Sequence, residues 1–193
     1  PHIKVRTLRS IQKHSLNNIT AAADHAITLL NMSLRPIMRA HLMSLNSSNN
    51  ESLNRVDYLG LAWQDVSLGI IGFGRIGQYV AKNLPSSLKK IYTYDTRMGQ
   101  KSFADEEHQR IKHCSSLEEL LQKANVILIS ATDDPINNRN IIAENLMENN
   151  LHSVVNISRP YMIDEKYVFN ALEANKLCCY YSDFPLSQTL TKN

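Results

Sequence analysis

Several kinds of residue and segment are scarce in this sequence. It has only three cysteines among 193 residues, an odd number without metal-ligand spacing, which favours a reducing, cytoplasmic environment over a disulfide-linked domain. The net charge of +3 is too small and too scattered to indicate a nucleic-acid surface. No apolar run approaches the length of a membrane span, and we expect no signal peptide. Since the chain begins Pro1-His2 without a methionine, we expect a fragment or processed piece.

Short apolar strands alternate with amphipathic helices from residue 66 onward. Strands are expected at "SLGIIG", "KIYTYD", "NVILISA", "SVVNIS" and "LCCYYSD", and helices at "RIGQYVAKNL", "SSLEELLQK", "AENLME" and "DEKYVFNALEAN". The second of these helices begins with a predicted capping box from Ser115 to Glu118, and Asp164 is the predicted cap of the last. This alternation predicts a Rossmann-like doubly wound α/β fold, a parallel sheet with helices on both faces.

Two further helices are predicted before the alternating region. Ala23, Ile27, Leu30 and Leu34 recur at helical spacing, and Pro36 should end that helix before a second one in "IMRAHLMSL". Together these helices carry more apolar surface than one buried face requires, which predicts an interface between subunits. The alternative is that both helices simply cover the sheet.

Glycine is scarce as well, but its distribution is uneven. Three of the six glycines form "GFGRIG", between a predicted strand and a predicted helix. In that context Gly72 permits a tight turn, Gly74 lets the backbone approach a pyrophosphate, and Gly77 allows close packing of helix on strand. The helix N-terminus then presents N–H groups to phosphates. The alternative is a glycine turn that only packs.

An acidic residue stands where a dinucleotide site needs one. Asp95 lies at the end of the next strand, eighteen residues past Gly77, and can accept both ribose hydroxyls of an adenosine. Because a carboxylate there repels the 2′-phosphate of NADP, NAD is the predicted cofactor. Arg97 weakens that repulsion without cancelling it. The alternative for Asp95 is a solvated strand end.

The motifs together resemble a known family. The stretches "LGIIGFGRIGQYVA", "YD" at 94–95, "SLEELLQKANVILI", "VVNISRP" with "IDE" at 163–165, and "SDF" at 182–184 occur in this order. They resemble the NAD-binding domain of the D-isomer-specific 2-hydroxyacid dehydrogenases, and "NNITAAADHAITLLNMSLR" is similar to the family's hinge and following helix, with Asp24 replacing a glutamate. The resemblance implies an NAD-dependent oxidoreductase that transfers hydride between NAD(H) and a 2-hydroxy or 2-oxo acid, as a homodimer.

The resemblance also implies roles for individual residues. Arg159 would bind the carboxylate or carbonyl of the substrate beside the nicotinamide; the alternative is a structural arginine paired with a nearby carboxylate. Asp183 would meet the nicotinamide carboxamide, unless it is a helix cap or a loop acid. Ala131 and Thr132 would line the adenosine, and Ile157 and Ser158 the nicotinamide ribose. The predicted cofactor-binding residues are Gly72, Gly74, Arg75, Ile76, Gly77, Asp95, Ala131, Thr132, Ile157, Ser158, Arg159 and Asp183, the predicted catalytic residues are Arg159 and Gln188, and no metal site is predicted.

Three departures from the family pattern leave a second function open. Pro160 stands where the family has glycine, and Gln188 stands where a glutamate orients the catalytic histidine, although formate dehydrogenases of the same superfamily carry glutamine there. The family's histidine in a "TPH"-like segment is not present, because the last histidine is His152. The alternative function is a non-catalytic NAD-binding regulator or a degenerate paralogue.

The family architecture predicts the domain organisation. Its nucleotide-binding domain is inserted into a substrate domain that both chain termini build. We therefore expect a hinge or connector at residues 1–18 and an NAD-binding domain at residues 19–193, including a helical arm at 19–60. The substrate domain is expected to be absent from this chain. The expected partner is a small 2-oxo or 2-hydroxy acid, with no nucleic acid and no membrane.

Overall fold

Two helices precede an alternating series of strands and helices. The computed structural model describes residues 17–46, 59–97, 109–136, 138–143 and 151–185. The elements in these ranges are the helices α1 (Asn17–Leu34), α2 (Ile37–Asn46), α3 (Arg75–Asn83), α4 (Leu117–Lys123) and α5 (Glu165–Glu173), the strands β1 (Ser67–Ile71), β2 (Lys90–Tyr94), β3 (Ile111–His113), β4 (Val126–Ile129), β5 (Ser153–Asn156) and β6 (Cys179–Ser182), and the 3-10 turns Trp63–Asp65 and Pro160–Met162.

The strands form one parallel sheet in the order β3-β2-β1-β4-β5-β6. Strand β1 is central, with Gly69 opposite Tyr92 of β2 on one side and Ile127 of β4 on the other. The chain moves outward in one direction from β1 to β3 and then returns to begin at β4 on the other side. This arrangement confirms the predicted doubly wound α/β fold and creates a switch point between β1 and β4.

Both faces of the sheet are covered by helices. On one face Leu68 of β1 packs in a core with Leu30 of α1 and Val80 of α3, and all three side chains are fully buried. On the other face Ile127 of β4 packs in a second core with Leu120 of α4. Strands that are buried on both sides are apolar at consecutive positions, which is why "VILI" carries no polar residue.

The predicted break between the first two helices is confirmed. Helix α1 ends at Leu34 and α2 begins at Ile37, on either side of Pro36. The α1 stripe faces the sheet, as the burial of Ala23 and Leu30 shows. Helix α2 differs, since several of its large apolar side chains are exposed: Ile37, Met38, Leu42 and Leu45, with exposed fractions of 55%, 42%, 53% and 68%.

Strand β3 is not predicted by the sequence pattern. It has only three residues, Ile111–His113, of which Lys112 and His113 are exposed, so it shows neither an apolar run nor a clear alternation. Its backbone pairs with β2 at the edge of the sheet, from Ile111 opposite Ile91 to His113 opposite Thr93. The strand conformation of β3 is therefore determined by its pairing with β2 and not by its own residues.

The predicted capping box of α4 is wrong by one residue. The cap is Ser116, whose hydroxyl accepts a hydrogen bond of 3.1 Å from the Glu119 N–H. The Glu119 carboxylate in turn accepts from the Ser115 N–H at 2.8 Å. Because two serines and two glutamates are adjacent, the sequence is compatible with a capping box from Ser115 to Glu118 or from Ser116 to Glu119. The helix begins at Leu117, which makes Ser116 the cap. The predicted cap of α5 is confirmed, because Asp164 accepts from the Tyr167 N–H at 3.0 Å.

Some predicted segments lie outside the described residues. They include nearly all of the predicted helix at 143–148, the first sixteen residues of the predicted connector, and Gln188. In the part of the chain that is described, no helix is long and apolar enough to cross a membrane.

Candidate functional site

The glycine turn between β1 and α3 is shaped for close approach of a ligand. Gly72 has φ +88°, and a Cβ there would lie 2.4 Å from the Ala131 Cα, so only glycine fits. Gly74 is the N-cap of α3, and a Cβ there would meet no protein atom within 4 Å. The absence of a side chain at Gly74 is therefore not required by packing; it leaves open space directly above the helix N-terminus, as bound phosphates require.

Side chains from three elements hold this turn in place. Gln78 of α3 donates a hydrogen bond of 3.0 Å to the Phe73 carbonyl, and the Ser130 hydroxyl donates one of 2.8 Å to the Gly72 carbonyl. Asp95, just beyond β2, accepts from the Phe73 N–H at 3.0 Å. Both the N–H and the carbonyl group of Phe73 are thus hydrogen-bonded to side chains. Neither Gln78 nor Ser130 was predicted as a site residue, because each acts only through the backbone of the turn, and Ser130 lies 58 residues from Gly72 in the sequence.

A cleft of about 600 Å³ opens at the carboxyl ends of β1, β2 and β4. It lies at the switch point of the sheet, where ligands bind in doubly wound folds. Four predicted cofactor residues meet in its walls, namely Gly72, Asp95, Ala131 and Thr132. The remaining lining residues are Ile71, Tyr94, Thr96, Arg97, Asp133, Asp134, Pro135 and Asn138.

Asp95 and Arg97 are linked at one end of the cleft. Asp95 is 8% exposed, and its Oδ1 accepts from the Arg97 N–H at 2.9 Å. The Arg97 guanidinium Nε lies 3.6 Å from the same oxygen. Its Nη2 also donates to the Thr132 hydroxyl at 2.5 Å. Arg97 therefore bridges the ends of β2 and β4 across the cleft and partly neutralises Asp95.

The segment after β5 lies beside the segment after β4. The Ser158 hydroxyl donates to the carbonyls of Ile129, at 3.2 Å, and of Ala131, at 3.0 Å. The Asn156 amide donates to the Arg159 carbonyl at 3.0 Å. These bonds tie the backbone around Arg159 to the end of β4.

Arg159 is half exposed and forms an ion pair. Its Nε lies 3.0 Å from Oδ2 of Asp133, and its Nη1 donates to the Ser158 carbonyl at 2.8 Å. Of the two interpretations of Arg159, pairing with a nearby carboxylate is thus observed, while substrate binding stays a prediction. The two are compatible, because the side chains of Arg159 and Asp133 are 52% and 51% exposed and accessible to a dissolved anion.

Asp133 has a second partner that the sequence did not indicate. The hydroxyl of Tyr161 donates a hydrogen bond to its Oδ1, and the Arg139 guanidinium lies 5.9 Å from the centre of the Tyr161 ring. The Tyr161 hydroxyl, with a further contribution from Arg159, holds the pKa of Asp133 below its ordinary value. Partial burial and Asp133 raise the pKa of Tyr161. The sequence signal for Asp133 is weak, an acid four residues beyond the end of the buried strand β4.

The other predicted site residues are more scattered. Arg75 and Ile76 form the first turn of α3, as expected for residues beside a bound phosphate. Ile157 follows β5 and packs against the core that contains Leu30. Asp183 lies exposed beyond β6, two strands away from β4, and does not line the cleft. Gln188 lies outside the described residues. Within the described ranges, no cluster of histidine, cysteine or acidic side chains could hold a metal ion.

The sheet order, the glycine turn and the acid at the end of β2 together define a dinucleotide-binding domain of the Rossmann type. A profile of the family described as "D-isomer specific 2-hydroxyacid dehydrogenase, NAD binding domain" matches residues 11–193. The chain belongs to this family, and it is an NAD-binding domain.

Individual relatives agree with this assignment. The chain is 27% identical over 164 residues to D-3-phosphoglycerate dehydrogenase of Synechocystis sp., an alignment that covers 83% of this chain and 28% of that protein. It is 27% identical over 170 residues to D-lactate dehydrogenase of Lactobacillus delbrueckii subsp. bulgaricus, covering 84% and 46%. A solved structure of NAD-dependent formate dehydrogenase from Staphylococcus aureus in complex with NAD matches with a TM-score of 0.72 and 25% identity, covering 95% of this chain and 56% of that one. The chain spans 28% to 46% of the length of these two curated relatives.

Proposed function

We propose that this chain supplies the cofactor site of an NAD-dependent dehydrogenase that transfers hydride between NAD(H) and a 2-hydroxy or 2-oxo acid. The observation that carries the proposal is the open space above Gly74, at the N-terminus of α3 and beside the cleft that Asp95 lines. A helix N-terminus favours anions through its N–H groups and its dipole. A pyrophosphate seated there would direct the adenosine toward the end of β2.

Different residues of the chain bind the different parts of the cofactor and the substrate. The first turn of α3, with Arg75 and Ile76, binds the pyrophosphate, and Asp95 accepts the adenosine ribose hydroxyls. Ala131 and Thr132 line the adenosine, and Ile157, Ser158 and Asp183 contact the nicotinamide half. The bound cofactor supplies the hydride. Arg159 binds the substrate carboxylate and polarises the carbonyl that accepts the hydride, since its planar fork of donors matches an oxo acid.

The proposed reaction also needs a proton donor. A proton must reach the forming alkoxide, and in this family a histidine oriented by the residue at the position of Gln188 would deliver it. A positioned acid contributes about 10²- to 10⁴-fold to the rate. We therefore propose that the chain alone binds NAD without turnover, and that residues 1–18 serve as the hinge to a substrate domain.

A second candidate is a non-catalytic NAD-binding regulator. The ion pair between Arg159 and Asp133 favours it, because an arginine that is already paired need not bind substrate. Pro160 and Gln188 favour it as well. A histidine in a "TPH" context in the parent reading frame would support the dehydrogenase, and its absence would support the regulator.

We propose a homodimer that pairs through α2. The exposed apolar residues of α2 form a stripe of a kind that usually marks an interface.

A reducing, cytoplasmic location is also proposed, supported by the free thiols of all three cysteines: Cys114, Cys178 and Cys179.

The central experiment is a Gly74→Ala substitution. Because a Cβ at Gly74 meets no protein atom, the variant should fold like the wild type, yet the methyl group occupies the space proposed for the pyrophosphate. Fluorescence titration should then show NADH binding weakened about tenfold or more, equivalent to about 1.4 kcal/mol. Lys82→Ala, on the exposed last turn of the same helix, is the matched control and should bind like the wild type. Equal NADH affinities for Gly74→Ala and Lys82→Ala would refute the proposed site.

A further inference from the structure

The carboxylate of Asp133 is held at both of its oxygens. Arg159 donates to Oδ2 through Nε at 3.0 Å, and the Tyr161 hydroxyl donates to Oδ1. These partners lie 26 and 28 residues along the chain from Asp133, so only the pairing of β4 with β5 brings the three together. Asp133 also belongs to the wall of the cofactor cleft.

The backbone on both sides of this contact is anchored. The 3-10 turn Pro160–Met162 follows Arg159 directly, and the Met162 N–H donates to the Arg159 carbonyl at 3.2 Å. The Tyr161 carbonyl accepts from the Asn140 N–H at 2.9 Å. Pro160 fixes the first φ angle of the turn, which the flexible family glycine would not do. The turn therefore presents Tyr161 and Arg159 to Asp133 on one rigid segment.

We propose that Asp133 is a positioning residue for Arg159, an internal carboxylate that occupies the guanidinium until the carboxylate of a 2-oxo acid replaces it. This inference rests on the proposed role of Arg159 in substrate binding. Asp133 and the substrate carboxylate would compete for the Arg159 guanidinium. Asp133 thereby holds the arginine at the cleft edge and lowers its apparent affinity for substrate.

The arrangement suits an exchange of one carboxylate for another. When a substrate carboxylate takes Arg159, Asp133 keeps the hydrogen bond from Tyr161, and water can reach its freed oxygen because the side chain is 51% exposed. Exposed ion pairs are weak, and they favour their partners by up to about fivefold. The ion pair is thus strong enough to orient Arg159 and weak enough for a substrate carboxylate to displace Asp133.

The test uses oxamate, a stable analogue of a 2-oxo acid, with the full chain saturated with NADH at low ionic strength. Calorimetric titration should give an oxamate affinity about three- to fivefold higher for Asp133→Asn than for the wild type. Asp133→Glu keeps a carboxylate and should restore the weaker, wild-type affinity, which a purely structural role would not predict. The gain in Asp133→Asn should shrink at about 1 M salt, where surface charges are screened. Arg159→Ala should abolish oxamate binding.

A second measurement does not depend on tight oxamate binding. Phenylglyoxal modifies exposed arginines, and peptide mass spectrometry reports the rate at each one. Modification of Arg159 should be about three- to fivefold faster in Asp133→Asn than in the wild type or in Asp133→Glu. Arg35, at the junction of α1 and α2, serves as the internal reference and should react at one rate in all variants.

The outcomes separate this inference from the proposed function. If Arg159→Ala abolishes oxamate binding but Asp133→Asn changes neither affinity nor modification rate, the inference is overturned and the proposed function stands. If the wild type and Arg159→Ala bind oxamate equally, or the wild type does not bind NADH, both are overturned. Faster modification of Arg159 in Asp133→Asn together with rescue by Asp133→Glu supports the inference.

Discussion

The Asp95 carboxylate accepts a hydrogen bond of 3.0 Å from the backbone N–H of Phe73. Asp95 directly follows β2, whereas Phe73 lies inside the glycine turn that follows β1, 22 positions earlier in the chain. The side chain proposed to bind the adenosine ribose therefore also fixes the turn proposed to bind the pyrophosphate. One buried acid therefore links the two ends of the proposed cofactor site.

Replacing Asp95 with alanine should therefore have two effects. It should narrow the preference for NAD over NADP, because the charge that repels the 2′-phosphate is lost. It should also weaken both cofactors by about 10- to 100-fold, since a hydrogen bond to a charged group contributes about 1.5 to 3 kcal/mol. Asp95→Asn keeps one acceptor for the Phe73 N–H and should lose less affinity. Fluorescence titrations with NADH and NADPH measure both effects, and a wild type that binds NADPH more tightly would contradict the ribose role of Asp95.

Gly72 and Gly74 should respond differently to the same substitution. Gly72 has a positive φ, and its Cβ would approach the Ala131 backbone, so Gly72→Ala should lower the free energy of unfolding by at least about 1 to 2 kcal/mol. Gly74→Ala should leave stability nearly unchanged and affect only cofactor binding. Chemical denaturation of both variants, compared with the wild type, checks the prediction. Equal losses of stability would show that Gly74 is also a packing residue.

His152 should make stability dependent on pH. Burial lowers its pKa from the ordinary value of 6.5, and a hydrogen bond with the Ser33 backbone offsets part of that effect. The unfolded chain therefore binds the proton more readily than the folded one. The stabilisation is fully present above about pH 6.5 and is lost as the pH falls through the lower, folded-state pKa. Urea midpoints between about pH 7.5 and 5 should fall in the wild type and vary less in His152→Gln. His25→Gln, at an exposed site on α1, should keep the wild-type slope.

The proposed dimer can be tested on the exposed face of α2. Leu42→Glu should produce monomers in light scattering, because a charge on the apolar stripe cannot be buried without a partner. Ile136→Glu is the matched control, since Ile136 is 88% exposed but lies outside α2. A wild type that is monomeric at high concentration would remove the dimer from the proposal.

The 193-residue chain should bind NADH without oxidising it. The assay combines the chain with NADH and glyoxylate, pyruvate, hydroxypyruvate or phenylpyruvate, and follows the loss of NADH absorbance. No steady consumption is expected, since the proposed function places the general acid and the closing domain outside these 193 residues. Steady turnover that Arg159→Ala abolishes would show that one of the histidines in this chain supplies the proton.

Local patterns in the sequence were sufficient for much of the fold. Strands β1, β4 and β5 were predicted because each contains a short apolar run, as a buried parallel sheet requires, and β2 was predicted although its residues alternate between buried and more exposed positions. The glycine turn was predicted because it needs glycine at three nearby positions, and the motif "GFGRIG" shows these directly in the sequence. Strand β3 was missed because three partly exposed residues carry no periodic signal, and the α4 cap was misplaced because two registers satisfy the same pattern.

The sequence by itself determined the alternation of elements, the glycine turn and the identity of the acid that ends β2, since each follows from residues close together in the chain. Only the tertiary structure decided that Asp95 holds Phe73 and that Arg159 holds Asp133. Those pairs join the ends of neighbouring strands, β1 with β2 and β4 with β5, and their members lie 22 and 26 residues apart in the sequence. Which carboxylate an arginine meets is therefore set by strand order, which no local pattern around Arg159 specifies.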